Sequence, residues 1–333
     1  MHLADILALR PVPAAGLLMA LTRRCPLTCA HCSTNSLLTS EEHPAEWFAR
    51  FARTIEREDR PEVIMLTGGE PMLRPRLVAD IAATAPTMVL TGGFFAPRVP
   101  AALAGVAHVS VSLDVHHQRE VPQAKVFRLV HALAGRGTAV SFHVTGAGPD
   151  DPYLARTIDT VRREFADRVP MLVGRVRAAG RAQAWAPAEE RAPADGHRPC
   201  TMAAWPAVSP DGTVTACCNQ DVIDHRPVPG HLRLGHVATD DWRSVRTRCL
   251  TSPVLQAIRT GGPQWAAGRS DGGYCGTCRT LGTTAERPRP AAAFLEQQVV
   301  RAQVGAGPEG FIRRYGEARF AELVMLGRET HAV

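Results

Sequence analysis

Six short apolar runs recur through the first half of the chain, with amphipathic stretches between most of them. GLLMALT (16–22), VIMLTG (63–68), MVLTG (88–92), HVSVSLDV (108–115), AVSFHVTG (139–146) and MLVGRV (171–176) each have the length of a buried strand. HPAEWFARFARTIERE (43–58), RPRLVADIAATA (74–85), QAKVFRLVHALAGRG (123–137) and YLARTIDTVRREFADR (153–168) carry helical periodicity. Strands alternating with helices predict an α/β fold with a parallel sheet of right-handed βα units. Over residues 1–185 that series predicts a partial (β/α)6 TIM-type barrel. The chemistry of such barrels gathers at the C-terminal ends of the strands.

The pattern changes after about residue 178. Residues 186–199 are rich in Pro, Ala and charge and read as a linker. Residues 200–282 hold six cysteines and many glycines with little helical periodicity, so a small metal-stapled module is expected there rather than a hydrophobic core. Residues 283–333 return to helical periodicity in AAAFLEQQVVRAQ and EGFIRRYGEARFAELVML, which are expected as helices packing back on the body.

Several function classes are disfavoured at once. The longest apolar runs fall short of 18 residues, so no transmembrane helix is expected. The start, MHLADILALRPVPAAG, lacks the basic and long apolar segments of a secretory signal. A cytoplasmic location is the default, and in a reducing compartment nine cysteines are expected as metal ligands or reactive thiols, not disulfides. The net charge of +6 is spread out, with no basic block interleaved with aromatics, so neither nucleic acid nor a membrane is an expected partner. Lys125 is the only lysine, in a stretch expected as helix. Schiff-base chemistry and P-loop phosphoryl transfer both need a lysine and are poor candidates.

The first apolar run opens into CPLTCAHC (25–32), with Cys25, Cys29 and Cys32 at C-x3-C-x2-C. Structural zinc prefers four closed positions. Three thiolates suit a [4Fe–4S] cluster with one iron left open, and zinc is the alternative. LTGGEP (66–71) ends the second run, where Gly68 and Gly69 permit close backbone approach and Glu70 is placed to hold a cation. VSLDVHH (111–117) ends the fourth, with Ser112 and Asp114 on one side by period two. His116 and His117 read as a helix start rather than as acid–base groups.

Placed at the first strand of a βα barrel, this cysteine spacing resembles the radical S-adenosylmethionine (SAM) enzymes. The resemblance implies that Cys25, Cys29 and Cys32 hold the cluster and that SAM chelates the open iron. His31 stands where the family usually has an aromatic residue near the adenine. Gly68, Gly69 and Glu70 would meet the SAM amino group, and Ser112 and Asp114 its ribose or carboxylate. An arginine of GRVRAAGRA (174–182), taken as Arg177 with Arg175 and Arg181 as alternatives, would grip the carboxylate.

Cys200, then Gly212-x4-Cys217, then Cys275-x2-Cys278, resembles the first half of a SPASM domain, in the truncated form called twitch. That resemblance implies one auxiliary [4Fe–4S] cluster on Cys200, Cys217, Cys275 and Cys278. A zinc site on the same four is the alternative. Cys218 and Cys249 remain; either is a candidate hydrogen-atom donor, and for Cys249 a buried apolar role is the plainer expectation.

The implied activity is reductive cleavage of SAM to a 5′-deoxyadenosyl radical that abstracts a substrate hydrogen, with electrons from a flavodoxin or ferredoxin. The expected substrate is a ribosomally made peptide undergoing crosslinking, epimerisation or oxidation. About 15 residues precede the first strand, so an N-terminal leader-recognition domain is not expected, which weakens the peptide reading without removing it. The alternatives are a dehydrogenase of a carbohydrate-like metabolite and a non-catalytic zinc- or cluster-binding interaction protein.

Overall fold

The computed structural model describes residues 1–95, 103–148, 150–166, 168–187, 199–269 and 273–282, and the backbone of 321–324. β1 (Gly16–Ala20), β2 (Val63–Thr67), β3 (Thr87–Thr91), β4 (His108–Ser112), β5 (Ala139–Gly146) and β6 (Met171–Arg175) lie side by side in chain order, all parallel. These are the six runs the sequence predicts, and they form the partial barrel. Among the described residues the sheet stays open: β6 pairs beyond β5 with an antiparallel strand at Ala321–Val324, and β1 pairs beyond β2 with Ala207–Val208.

Period two sorts the two faces of each strand. On β4 and β5, Val109, Val111, Phe142 and Val144 are fully buried and face the helices. The helix set begins with α1 (Leu3–Leu9), α2 (Ala45–Arg53), α3 (Pro75–Ala82), α4 (Val115–Gln118), α5 (Gln123–Ala134) and α6 (Pro152–Phe165). Phe127 of α5, Phe142 of β5 and Phe165 of α6 meet with ring centroids 5.2 to 5.9 Å apart. Each such ring contributes roughly 1.5–3 kcal/mol by burial. α6 starts cleanly because Asp151 accepts from the Tyr153 amide at 2.9 Å and Pro152 fills the first turn. The opposite faces of β4 and β5 are polar: His108, Ser110, Ser112, Ser141, His143 and Thr145 point into the lumen. At its closed end His108 bonds Ser141 at 2.7 Å, and α1 packs its Leu3, Ile6 and Leu7 over Val63 and Met88.

Beyond residue 199 the structure departs from the expectation of a coreless module. β7 (Ala207–Val208) extends the barrel sheet from β1, and β8 (Thr213–Thr215) and β9 (Arg233–His236) continue it antiparallel. After the short α7 (Gln220–Ile223) come α8 (Trp242–Thr251), α9 (Pro253–Gly261), α10 (Pro263–Ala267) and α11 (Gly273–Thr280). Trp242, Val245, Leu255 and Ile258 are fully buried in the same cluster as the barrel core. α8 and α11 have little amphipathic patterning. The signals for the set are local: Asp241 and Ser252 as caps, Pro253 and Pro263 in the first turns.

The C-terminal stretch also differs from expectation. Within EGFIRRYGEARFAELVML, Ala321–Val324 is a strand, β10, antiparallel to β6, because the open edge of β6 offers it a ladder. AAAFLEQQVVRAQ and residues 188–198 of the expected linker lie outside the described residues. Among the described residues, no helix is long and apolar enough to cross a membrane.

Candidate active site at the barrel mouth

The loop after β1 is laced to the loop after β2. Gly69 N donates to Thr22 O at 2.7 Å and Glu70 N to Arg24 O at 2.9 Å. A Cβ at Gly68 would lie 2.4 Å from Thr22 O, and one at Gly69 2.1 Å from Arg24 O. Gly68 also has φ +131°, a region that favours glycine. Both glycines are therefore required for the two loops to touch, before any ligand is considered.

Glu70 is buried, and burial is the main force pushing its carboxyl up; three hydrogen-bond donors and the charge of His117 oppose it. It accepts from Met72 N, from Thr91 Oγ1 at both oxygens, and from Gly92 N, at 2.9 to 3.0 Å. Its carboxylate thus ties β2 to the end of β3.

Asp114 caps α4, its Oδ1 accepting from the His116 and His117 amides at 2.9 Å. His117 Nδ1 donates to its Oδ2 at 2.5 Å, and His31 Nε2 lies 3.2 Å from the same oxygen. Burial alone would raise the Asp114 pKa, yet the two imidazoles hold it far below the usual carboxylate range. In return His117 is pushed up to about 10 against the desolvation that would lower it, through Asp114 and a hydrogen bond to the Cys29 thiol. The expected helix start at His116 and His117 is present.

The segment after β6 closes over the cysteine loop. Arg181 Nε donates to Cys29 O at 2.9 Å and its Nη1 to Ser36 O at 2.8 Å, while its amide donates to Cys32 O at 2.9 Å. Trp185 Nε1 donates to Ala30 O at 3.1 Å, and its ring lies against His116, which stacks on His31. Arg181 is thus engaged by the loop backbone; Arg177 and Arg175 line the cavity beside it.

Cys25, Cys29 and Cys32 face a cavity of about 410 Å3 in the barrel mouth. His31, Gly68, Gly69, Glu70, Ser112 and Asp114 line it too, so the structure brings the sequence-chosen residues of the mouth together. Burial pushes the Cys25 thiol up to about 12, with Glu70, Cys29 and Cys32 adding to it. Burial would raise Cys32 as well, but hydrogen bonds from Thr34 and Ser36 and the charge of Arg181 outweigh it and lower its pKa. Three soft sulfur donors on one braced loop, beside open volume, fit a [4Fe–4S] group with a free corner. Among the described residues, Cys29, His31 and His117 also place donor atoms within 4.8 Å of one another.

Cys200, Cys217, Cys275 and Cys278 converge in the second module. Burial raises Cys200, Cys217 and Cys278, and within the set each also feels the others' charge: Cys200 feels Cys275, Cys217 feels Cys200 and Cys278, and Cys278 feels Cys200 and Cys275. Asn219 sits between, its amide 3.4 Å from Cys217 Sγ and its Nδ2 3.7 Å from Cys275 Sγ. Cys218 lines the barrel-mouth cavity. Cys249 does not: it is fully buried, with Arg259 Nη2 2.9 Å from its sulfur. His143, Thr145 and Gly174 also line the cavity, and no motif marks them.

Residues 19–161, which hold the cysteine loop, the Gly68–Gly69 turn and β4, match the model of the Radical SAM superfamily. These residues form a radical SAM domain. Over 181 residues the chain is 32% identical to the PqqA peptide cyclase of Methylocella silvestris, covering 51% of this chain and 45% of that protein. The chain thus spans less than half the length of this curated relative. In fold it is similar to Streptococcus suis SuiB bound to the precursor peptide SuiA, with a TM-score of 0.58 at 11% identity, covering 86% of this chain and 78% of that one. The matched residues run from within β1 into α6, so β6 and the arginine segment after it lie beyond the family match.

Proposed function

We propose that this protein is a radical SAM enzyme that abstracts a hydrogen atom from a ribosomally made peptide, leading to a crosslink, an epimerised centre or an oxidised side chain. The observation that carries the reading is the single cavity on which the three cysteines, the Gly68–Glu70 turn and the polar lumen of β4 and β5 all converge. Support for a peptide comes from the two relatives, one named for cyclising the peptide PqqA and the other bound to a precursor peptide.

In this reading Cys25, Cys29 and Cys32 hold the cluster. A cluster held there would supply the electron for reductive cleavage of SAM, the chemistry that would yield a hydrogen-abstracting 5′-deoxyadenosyl radical. His117 fixes Cys29 through its hydrogen bond, and Asp114 fixes His117 and His31. Arg181 holds three backbone carbonyls of the cysteine loop, so the sulfurs are placed before metal arrives. The residues that would meet SAM are Gly68 and Gly69 through their backbone, Glu70, Ser112 and Asp114, with Arg177 for its carboxylate and His31 for its adenine. Cys200, Cys217, Cys275 and Cys278 hold one auxiliary [4Fe–4S] cluster, and Cys218 faces the cavity as a candidate hydrogen donor. A flavodoxin- or ferredoxin-type protein supplies electrons.

The test is anaerobic reconstitution with iron and sulfide, followed by dithionite and SAM. The expected products are methionine and 5′-deoxyadenosine. A colourless protein with zinc at Cys25, Cys29 and Cys32 that leaves SAM intact would overturn the reading. Oxidation of a sugar-like alcohol, with no change in a peptide encoded beside the gene, would overturn the peptide assignment alone.

A further inference from the structure

Asp114, His117 and Cys29 form a line from the barrel sheet to the cysteine loop. Asp114 is anchored first: it is buried two residues beyond β4, and its Oδ1 accepts the two amides that open α4. Its Oδ2 accepts from His117 Nδ1 at 2.5 Å. An imidazole held at Nδ1 has Nε2 left to offer. A ring nitrogen of His117 lies within 4.8 Å of Cys29 Sγ, and the two side chains share a hydrogen bond. The ring is confined as well. His31 stands edge-on to it at 5.0 Å, and a Cβ at Gly92 would come within 3.6 Å of its Cδ2.

The three sulfurs of the loop are therefore not equivalent. Leu27 N donates to Cys25 Sγ at 3.5 Å, and Cys32 Sγ pairs with the Thr34 hydroxyl at 3.2 Å, both neutral groups. Cys29 alone of the three meets an imidazole backed by a buried carboxylate. A free thiol could donate to that ring, but a sulfur bonded to iron has no proton to give. On iron loading the bond survives with His117 as the donor, a proton on each nitrogen and Asp114 as counter-charge. A donor aimed at a cluster thiolate favours the form with more electron density on sulfur, which is the reduced one.

We infer that His117, held by Asp114, is a positioning residue that donates its Nε2 proton to the Cys29 sulfur and raises the reduction potential of a [4Fe–4S] group on the loop. One electron enters from the external donor, and no bond of the protein breaks. The inference rests on the proposed reading that Cys25, Cys29 and Cys32 hold that group, and it adds how the chain biases its reduction.

The test is a mediated redox titration of the anaerobically reconstituted full chain without SAM, followed by EPR. The signal missing from Cys29→Ala identifies the cluster on the loop. His117→Phe keeps a ring and removes the donor; His117→Gln keeps an N–H donor without the charge. At equal iron content, one-electron reduction should be about tenfold less favourable in His117→Phe, a midpoint about 59 mV lower, and less affected in His117→Gln. Wild-type protein labelled with 15N-histidine should show nitrogen coupling to the reduced cluster in pulsed EPR, and His117→Gln should lose it. This second measurement decides the matter even where His117→Phe fails to fold. An unmoved midpoint in His117→Phe, an equal shift in both variants, or a nitrogen coupling that survives His117→Gln would overturn the inference. A wild type that assembles no cluster on the loop sinks the enzymatic reading and this inference with it; a loop cluster whose midpoint ignores His117 sinks this inference alone.

Discussion

Arg181 reaches back 152 positions to donate its Nε proton to the Cys29 carbonyl at 2.9 Å. The same guanidinium holds Ser36 O, and the Arg181 amide holds Cys32 O. A side chain in the turn beyond the last parallel strand therefore sets the shape of the loop at the end of the first. Replacing it leaves two loop carbonyls without partners, at about 1–3 kcal/mol for a buried group. Arg181→Ala should keep the far-ultraviolet spectrum of the wild type but lose iron from the loop several-fold faster under chelator. Arg181→Lys should recover little of this, since an ammonium cannot copy the fork. Wild-type iron retention in Arg181→Ala would show that the brace is dispensable.

Cys29 is buried at the cavity and hydrogen-bonded to His117. Cys29→Ala should abolish 5′-deoxyadenosine formation and remove about four irons per chain. The second module should still bind metal, so a sample stripped of all iron would point to misfolding rather than loss of one ligand.

In the second module, Cys275→Ala removes a sulfur that interacts with Cys200 and Cys278. Iron should fall from about eight to about four per chain, with SAM cleavage retained but uncoupled from substrate. Zinc in place of iron at this site in the wild type, seen by elemental analysis, would dispose of the auxiliary cluster.

His108 is buried at the closed end of the barrel and its pKa is lowered to about 4, mainly by desolvation. A depressed histidine binds its proton more weakly when folded than when unfolded. Between its ordinary value of 6.5 and about 4 the unfolded chain therefore holds more protons, and stability falls as pH falls through that window. From pH 7 to pH 5 this one group should remove about 2 kcal/mol, provided it titrates independently. Urea denaturation at the two pH values, with His108→Gln as the comparison, checks it: the variant should lose that much less.

Trp242 anchors the second module to the barrel side. It is fully buried, its ring set edge-on to Phe51 and its Nε1 donating to Asp59 O at 2.7 Å. Trp242→Ala should cost about 3–5 kcal/mol by cavity formation. Its unfolding should remain cooperative across both parts, which share one core, and a biphasic transition would show that they do not.

The sequence by itself determined the six parallel strands and the three cysteines at the first strand's end. These rest on local rules: run length, period, and donor spacing within an eight-residue loop. It also marked the Gly68–Gly69 turn, though tertiary contact supplied the reason, since a Cβ there strikes the cysteine loop. Only the tertiary structure decided which arginine of 175, 177 and 181 braces that loop, because the choice depends on which guanidinium reaches Cys29 and Ser36 across the barrel. It alone separated Cys218, on the cavity, from Cys249, against Arg259. It alone brought His143 and Thr145 beside Ser112 and Gly174, because strand register sums turns and packing over many residues. Local chemistry is written in neighbouring residues; the juxtaposition of distant ones exists only once the sheet has formed.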